Sequence, residues 1–269
     1  MTRTAVIAGQ GRLPALLAGA LDAPLVAALQ GYAPEGLHPD IEFRVERLVP
    51  FLDHLQDQGV TRVVFAGAVR RPRLDPALFD PATAQLVPQL LAAMQAGDDA
   101  ALLGIIAIFE DHGLAVVGAA EVSPDLVPGE GILCGTVTGA DGRDADRAAA
   151  IVAALGAADV GQGAVVAQGL CLAVEALPGT DAMLDFVAAH ASALRPDPQG
   201  ARGVLYKAPK PGQDLRVDLP AIGVETVARA AKAGLGGLVW QAGGVLLLDR
   251  AGMVAAAERA GLFLWSRAP

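Results

Sequence analysis

Cysteine is almost missing from this chain: Cys134 and Cys171 are the two among 269 residues. They form neither a CxxC pair nor a zinc spacing, which excludes a disulfide scaffold and a thiolate-held zinc site. Both are expected to be buried, reduced thiols of a cytoplasmic protein. Histidine is also scarce, and His38, His54, His112 and His190 are scattered with no HExxH pair. Any metal site would therefore be built from carboxylate oxygens, the ligands that Mg²⁺ and Mn²⁺ prefer. Positive charge is in deficit. Twenty Lys and Arg face 29 Asp and Glu, a formal charge of −9, which argues against a nucleic-acid partner. A small anionic ligand needs only a few local cations and stays open. No apolar run approaches the roughly 20 residues of a membrane span; the most apolar is Ala100 to Phe109. The N-terminus lacks a basic region followed by an apolar signal core. Aromatics make up 4% of a chain that is 53% hydrophobic, so the core must be aliphatic and alanine-rich.

What is present alternates. Thr4–Ala8, Pro24–Leu29, Arg62–Ala66 and Leu114–Gly118 read as strands. Helical spacing falls at Leu13–Leu21, Phe51–Gln58, Leu86–Gln95 and Asp98–Asp111. This order predicts an α/β fold, a Rossmann-like parallel sheet with helices on its faces, over residues 1–130. Glu121–Asp144 contains Ser-Pro, Pro-Gly, Gly-Glu-Gly and Gly-Ala-Asp-Gly, and its part 131–144 reads as a linker. Residues 145–269 predict a second, mixed α/β domain. It has a helix at Ala145–Leu155, a hairpin hinged at Gly169, helices at Asp181–His190, Val224–Lys232 and Met253–Ala260, and strands at Gly203–Lys207, Gly237–Gln241 and Val245–Leu248.

Several motifs sit where such folds place ligands. Gly9-Gln10-Gly11, with Leu13 opening the next helix, follows the first strand. Its N–H groups suit a phosphate, and a plain tight turn explains the same residues. It is neither a P-loop nor a GxGxxG fingerprint. Val69 and Arg70 follow the RVVFA strand, at an edge where ligands of open sheets collect. Asp98 and Asp99 open a helix; capping and metal binding both account for them. Gln162 lies in a Gly-Gln-Gly turn before the hairpin, whose second strand ends in Glu175. A carboxylate at the end of an apolar strand needs a cation, a metal or a donor. Gly179, Thr180 and Asp181 follow, as a helix cap or as part of a site.

The densest stretch is YKAPKPGQDLRVDLPAIG, residues 206–223. Lys207 ends an apolar strand. Lys210, Gln213, Asp214, Arg216 and Asp218 follow within a dozen residues, and Gly223 precedes a helix. Prolines and glycine make this an ordered loop. Lysines as point charges and arginine as a fork suit phosphate, and Asp214 and Asp218 suit a divalent ion or a water. A salt-bridged surface loop is the plain alternative; the nearby Glu175 and Gly179-Thr180-Asp181 favour a site. If the loop is extended, Arg216 and Asp218 face one side.

Together these segments resemble the UDP-2,3-diacylglucosamine pyrophosphatase family of lipid A biosynthesis, the branch unrelated to calcineurin-like phosphoesterases. The resemblance is carried by IAGQGRLP (7–14), GAVRRP (67–72), GDDAALL (97–103), DVGQGAVV (159–166), AVEALPGTDAML (173–184) and KAPKPGQDLRVDLPAIGVET (207–226). It implies a two-domain, Mg²⁺-dependent hydrolase, with Mn²⁺ as a substitute ion, that cuts UDP-2,3-diacylglucosamine to UMP and 2,3-diacylglucosamine 1-phosphate (lipid X). Lys207, Asp214, Arg216 and Asp218 are then the expected catalytic residues. Asp214, Asp218 and Glu175 are the expected metal ligands, and Gly9, Gln10, Gly11, Leu13, Val69, Arg70, Asp98, Asp99, Gln162, Gly179, Thr180, Asp181, Lys207, Lys210, Gln213 and Gly223 are expected to contact substrate. The resemblance also implies peripheral contact with the cytoplasmic face of the inner membrane, and a homodimer is the candidate assembly. Two other classes share these features: another sugar-nucleotide transferase, and a non-catalytic nucleotide- or lipid-binding module.

Overall fold

A computed structural model describes residues 3–69, 73–95, 98–191 and 194–269. The chain divides into two units. The first holds Met1–Pro124 together with Arg216–Asp218; the second holds Asp125–Leu215 and Leu219–Pro269.

The first unit runs β1 (Arg3–Ala8), α1 (Leu13–Gly19), β2 (Leu25–Leu29), β3 (Ile41–Phe43), α2 (Leu48–Asp57), β4 (Val60–Ala66), α3 (Pro81–Gln95), α4 (Asp98–Asp111), β5 (Ala115–Val117) and α5 (Ala119–Val122). Its strands form one parallel sheet in the order β3-β2-β1-β4-β5. The expected parallel sheet is therefore present. β2 and the Ala5–Ala8 part of β1 are apolar throughout because a sheet covered on both faces buries its side chains. Two aromatic pairs brace this unit: Phe43 stacks on Phe51 at 4.0 Å and Phe65 meets Phe109 edge-on at 5.1 Å. Helix α3 starts at Pro81, earlier than the expected Leu86. Asp80 accepts from the Ala82 and Thr83 N–H groups, and proline suits the first helical position.

The second unit runs β6 (Gly131–Cys134), α6 (Gly139–Ala157), β7 (Gly163–Ala167), β8 (Leu170–Val174), α7 (Gly179–Phe186), β9 (Val204–Lys207), β10 (Ala221–Gly223), α8 (Val224–Lys232), β11 (Gly237–Gln241), β12 (Leu246–Leu248), α9 (Arg250–Ala260) and β13 (Phe263–Arg267). Six strands make a mixed sheet, β6-β13-β11-β9-β7-β8, and β10 pairs with β12 separately. Residues 131–144, read as a linker, instead carry edge strand β6 and the start of α6. Thr138 caps α6 by accepting from the Asp141 N–H, while the Asp141 carboxylate accepts from the Thr138 N–H.

The sheet's alternation sorts its residues onto two faces. Val204 and Tyr206 of β9 pack with α6, whereas Leu205 packs with α7, α8 and α9. Period two puts Lys207 on the face of Leu205. Cys134 is buried, as expected; Cys171 is exposed on edge strand β8, contrary to expectation, because that strand has a neighbour on one side only.

Candidate functional site

In the second unit, three neighbouring strands meet at one edge. Gly163 at the start of β7 lies in register with Lys207 at the end of β9. On the other side of β7, the Glu175 N–H donates to the Gly163 carbonyl at 2.8 Å, just past the end of β8. Gly163 has no side chain, and the flanking side chains reach across it. Lys207 Nζ lies 3.4 Å from Glu175 Oε1 and 3.3 Å from Oε2, and donates to Thr180 Oγ1 at the start of α7. Both partners are nearly enclosed, with side chains 7% and 12% exposed. A Cβ at Gly163 would sit 2.5 Å from Glu175 Oε2, and one at Gly161 would sit 2.1 Å from the Glu175 carbonyl oxygen. Both glycines of the Gly-Gln-Gly turn thus make room for Glu175. Of the cation, metal or donor that Glu175 was expected to need, the structure supplies a cation: its carboxylate faces the Lys207 ammonium.

The loop after Lys207 is tied to the same turn. Gln162 donates to Gln213 Oε1 at 2.9 Å, the Lys210 N–H donates to the same oxygen at 2.8 Å, and the Ala208 N–H donates to the Gln162 carbonyl. Lys210 Nζ reaches Asp159 at 2.7 Å. Gly156, in the last turn of α6, lets Pro211 approach; a Cβ there would stand 2.7 Å from its Cδ. Asp214 belongs to this second unit and is half-buried. Gly179 opens α7 with φ +86°. Asp181 turns to α8, where its Oδ2 lies 3.4 Å from Arg229 Nε. The Gly223 N–H donates to Thr226 Oγ1 at 3.2 Å as α8 begins.

Arg216–Asp218 counts with the first unit. Residues 215–217 form a turn, so the extended-loop argument for Arg216 and Asp218 does not hold. Arg216 Nη1 pairs with Glu110 Oε1 at 2.7 Å. Asp218 and Val217 instead line a cavity of about 700 Å³ in the first unit, with Leu29, Phe43, Phe65, Leu102 and Ile105 among its walls. Asp218 is the ionisable group on an otherwise apolar lining that also includes Val69.

The glycine turn after β1 is closed upon itself. The Gly9 N–H donates to the Ala66 carbonyl at 2.7 Å, the Gln10 N–H to Ala68 at 2.9 Å, and the Ala68 N–H returns to Gln10 at 3.0 Å. A Cβ at Gly9 would lie 2.6 Å from the Ala68 oxygen, and one at Gly67 2.5 Å from the Gln10 oxygen. These donors are therefore engaged by backbone, and the tight-turn reading accounts for Gly9 and Gln10. Gly11 takes φ +93°, and Leu13 begins α1. Arg70 lies outside the described residues, as do the side chains of Asp98 and Asp99, whose backbone opens α4.

Another cavity, of about 660 Å³, lies where β9, β11 and β13 begin, lined by Thr138, Asp141, Arg202 and Glu258. Ligands of α/β sheets gather at the opposite strand ends, where Lys207 sits. Among the described residues no three His, Cys, Asp or Glu side chains come together as a metal-holding group. No helix among them is long and apolar enough to cross a membrane.

Fold and geometry define the class: a two-unit α/β protein with a parallel first sheet, a mixed second sheet and a held cation at the second sheet's edge. Residues 3–126 match the LpxI N-terminal domain and residues 129–265 the LpxI C-terminal domain. The chain is 40% identical over 272 aligned positions, 98% of its length and 97% of the relative's, to the UDP-2,3-diacylglucosamine pyrophosphatase LpxI of Caulobacter vibrioides. It belongs to the LpxI family.

Proposed function

We propose that this protein hydrolyses the pyrophosphate of UDP-2,3-diacylglucosamine to UMP and 2,3-diacylglucosamine 1-phosphate. The observation that carries this reading is the near-full-length relationship to the Caulobacter pyrophosphatase. In the reaction, water adds to one phosphorus and the bridging P–O bond breaks. The bridging oxygen stays on the other phosphate. The reaction needs phosphate charge neutralised and a water deprotonated. Lys207, at its strand end, supplies positive charge. Asp218 is assigned the role of orienting the water and taking its proton; its presence on the lining of the first unit's cavity supports this. Its apolar surroundings also suit the lipid: the first unit's cavity is walled by aliphatic and phenyl groups and accommodates acyl carbons.

Mg²⁺, with Mn²⁺ as a substitute, would polarise the phosphoryl oxygens when bound, and the carboxylate of Asp218 would hold it. Mg²⁺ usually takes one or two carboxylates together with substrate phosphate and water, so a preformed cage of three is not required. A lipid substrate further implies contact with a membrane, at the cytoplasmic face of the inner membrane.

The test is purified protein with UDP-2,3-diacylglucosamine in water, with Mg²⁺ or with excess EDTA. UMP and the sugar 1-phosphate are expected with Mg²⁺ and neither with chelator. Full activity in EDTA overturns the metal requirement. No UMP without an added acceptor overturns hydrolysis in favour of a transferase, and binding without turnover favours a non-catalytic module.

A further inference from the structure

We infer that Glu175 and Thr180 are positioning residues for Lys207, and that Glu175 is not a ligand of the divalent ion. The inference rests on the pyrophosphatase reading and deepens it. A lysine ammonium enclosed in an apolar sheet face loses hydration and needs a compensating charge or acceptor. Lys207 is so enclosed, on the face that packs against α7, α8 and α9. The carboxylate of Glu175 supplies the compensating charge from two strands away, across the gap left by Gly163. Thr180 Oγ1 supplies an acceptor from α7. Two acceptors from different elements fix where the ammonium sits at the strand end.

The contact to Glu175 is long, 3.3 and 3.4 Å to its two oxygens, so Glu175 balances the charge while the closer hydrogen bond, to Thr180 Oγ1, fixes the position of the ammonium. A carboxylate so engaged has a cation already. The backbone is built around that arrangement: Gly161 and Gly163 both make room for Glu175, and neither could carry a side chain without displacing it.

The experiment compares wild type with Glu175→Gln, Thr180→Val and Thr180→Ser, measuring kcat, KM, melting temperature and the Mg²⁺ concentration at half-maximal rate. Glu175→Gln keeps the shape and removes the charge. It is expected to lower kcat by roughly 10- to 100-fold, the scale for residues that orient a functional group, with the half-maximal Mg²⁺ concentration unchanged. Thr180→Val is expected to lower kcat and Thr180→Ser to restore it. A tenfold or greater rise in the Mg²⁺ requirement of Glu175→Gln, with kcat recovered at saturating Mg²⁺, makes Glu175 a metal ligand and overturns the inference. Unchanged kcat with a lowered melting temperature makes the pair merely structural and also overturns it. If Glu175→Gln does not fold, the Thr180 pair decides: equal activity of the valine and serine variants overturns positioning. Wild type without hydrolysis refutes the pyrophosphatase reading instead, and wild type active without Mg²⁺ leaves the kcat comparisons to decide.

Discussion

The two sheets end in opposite ways. In the first unit the loops after β1 and β4 close on each other through backbone bonds, with Gly9 and Gly67 allowing the approach, and beside them lies an apolar cavity. In the second unit the strand ends leave a gap at Gly163, filled by a lysine and a glutamate. Both ends look alike in sequence, a glycine pair around a glutamine. In one, glycine lets backbone meet backbone. In the other, it lets charged side chains meet over a strand. The same residue type thus makes an apolar wall in one unit and an electrostatic site in the other.

The sharpest way to break this contrast is at Asp218, the ionisable group on the apolar side. Asp218→Ala is expected to lower kcat by roughly 10²-fold or more, the scale of losing a positioned acid–base or electrostatic group. The melting curve should move little. Near-normal kcat removes Asp218 from the mechanism, and a collapsed melting temperature gives it a structural role.

Gly67→Ala tests the closed loops. It forces a side chain into φ +92° and sets a Cβ 2.5 Å from the Gln10 carbonyl oxygen. Strain of this kind and overpacking each cost about 1–3 kcal/mol, so a clear loss in chemical denaturation is expected. Unchanged stability would mean the two loops are not locked.

A smaller effect is expected from filling the cavity. Leu102→Trp narrows the cavity proposed for the acyl chains. It should raise KM for long-chain substrate by about tenfold, within the range for a mismatched apolar pocket, and affect a short-chain analogue less. Equal effects on both substrates would detach the cavity from the acyl chains.

The mildest expectation concerns acid. Burial pushes the Glu46 carboxyl up, but the Asp75 N–H, its own N–H and Arg44 outweigh that and hold it below 4.5. Asp80 is likewise pushed up by burial, and is held below 3.8 by Thr83, the Ala82 N–H and Arg47. Groups lowered on folding stabilise above their unfolded values, and that stability is lost as pH falls through the folded ones. Both lie in the first unit. Glu46→Gln should therefore flatten the loss of first-unit stability below about pH 4. An unchanged acid limb would show that Glu46 does not contribute to it.

Local chemistry made much of the fold legible. Apolar runs such as Ala5–Ala8 and Val63–Ala66, each followed by helical spacing, give the alternation of a parallel sheet, because period and polarity are properties of neighbours in the chain. The Asp80-Pro81 start of α3 and the Thr138–Asp141 capping box were equally local signals, as was the Phe263–Arg267 strand after Gly261; a linker-like composition masked the second. The family, too, is written in ordered motifs.

The sequence by itself thus determined two α/β units, the loss of metal–thiolate and disulfide chemistry, and the crowding of charge at 207–218. What a charge faces was left to tertiary structure. Lys207 and Glu175 stand 32 residues apart, and only the order β9-β7-β8 makes them neighbours across Gly163. Arg216 and Glu110 are 106 residues apart and pair because Arg216–Asp218 packs with the first unit. A side chain's partner depends on sheet order and chain path, which no window of adjacent residues encodes. For that reason the charged loop was visible in the sequence, while the division of its residues, Lys207 with Glu175 and Asp218 with an apolar cavity, was decided by the fold.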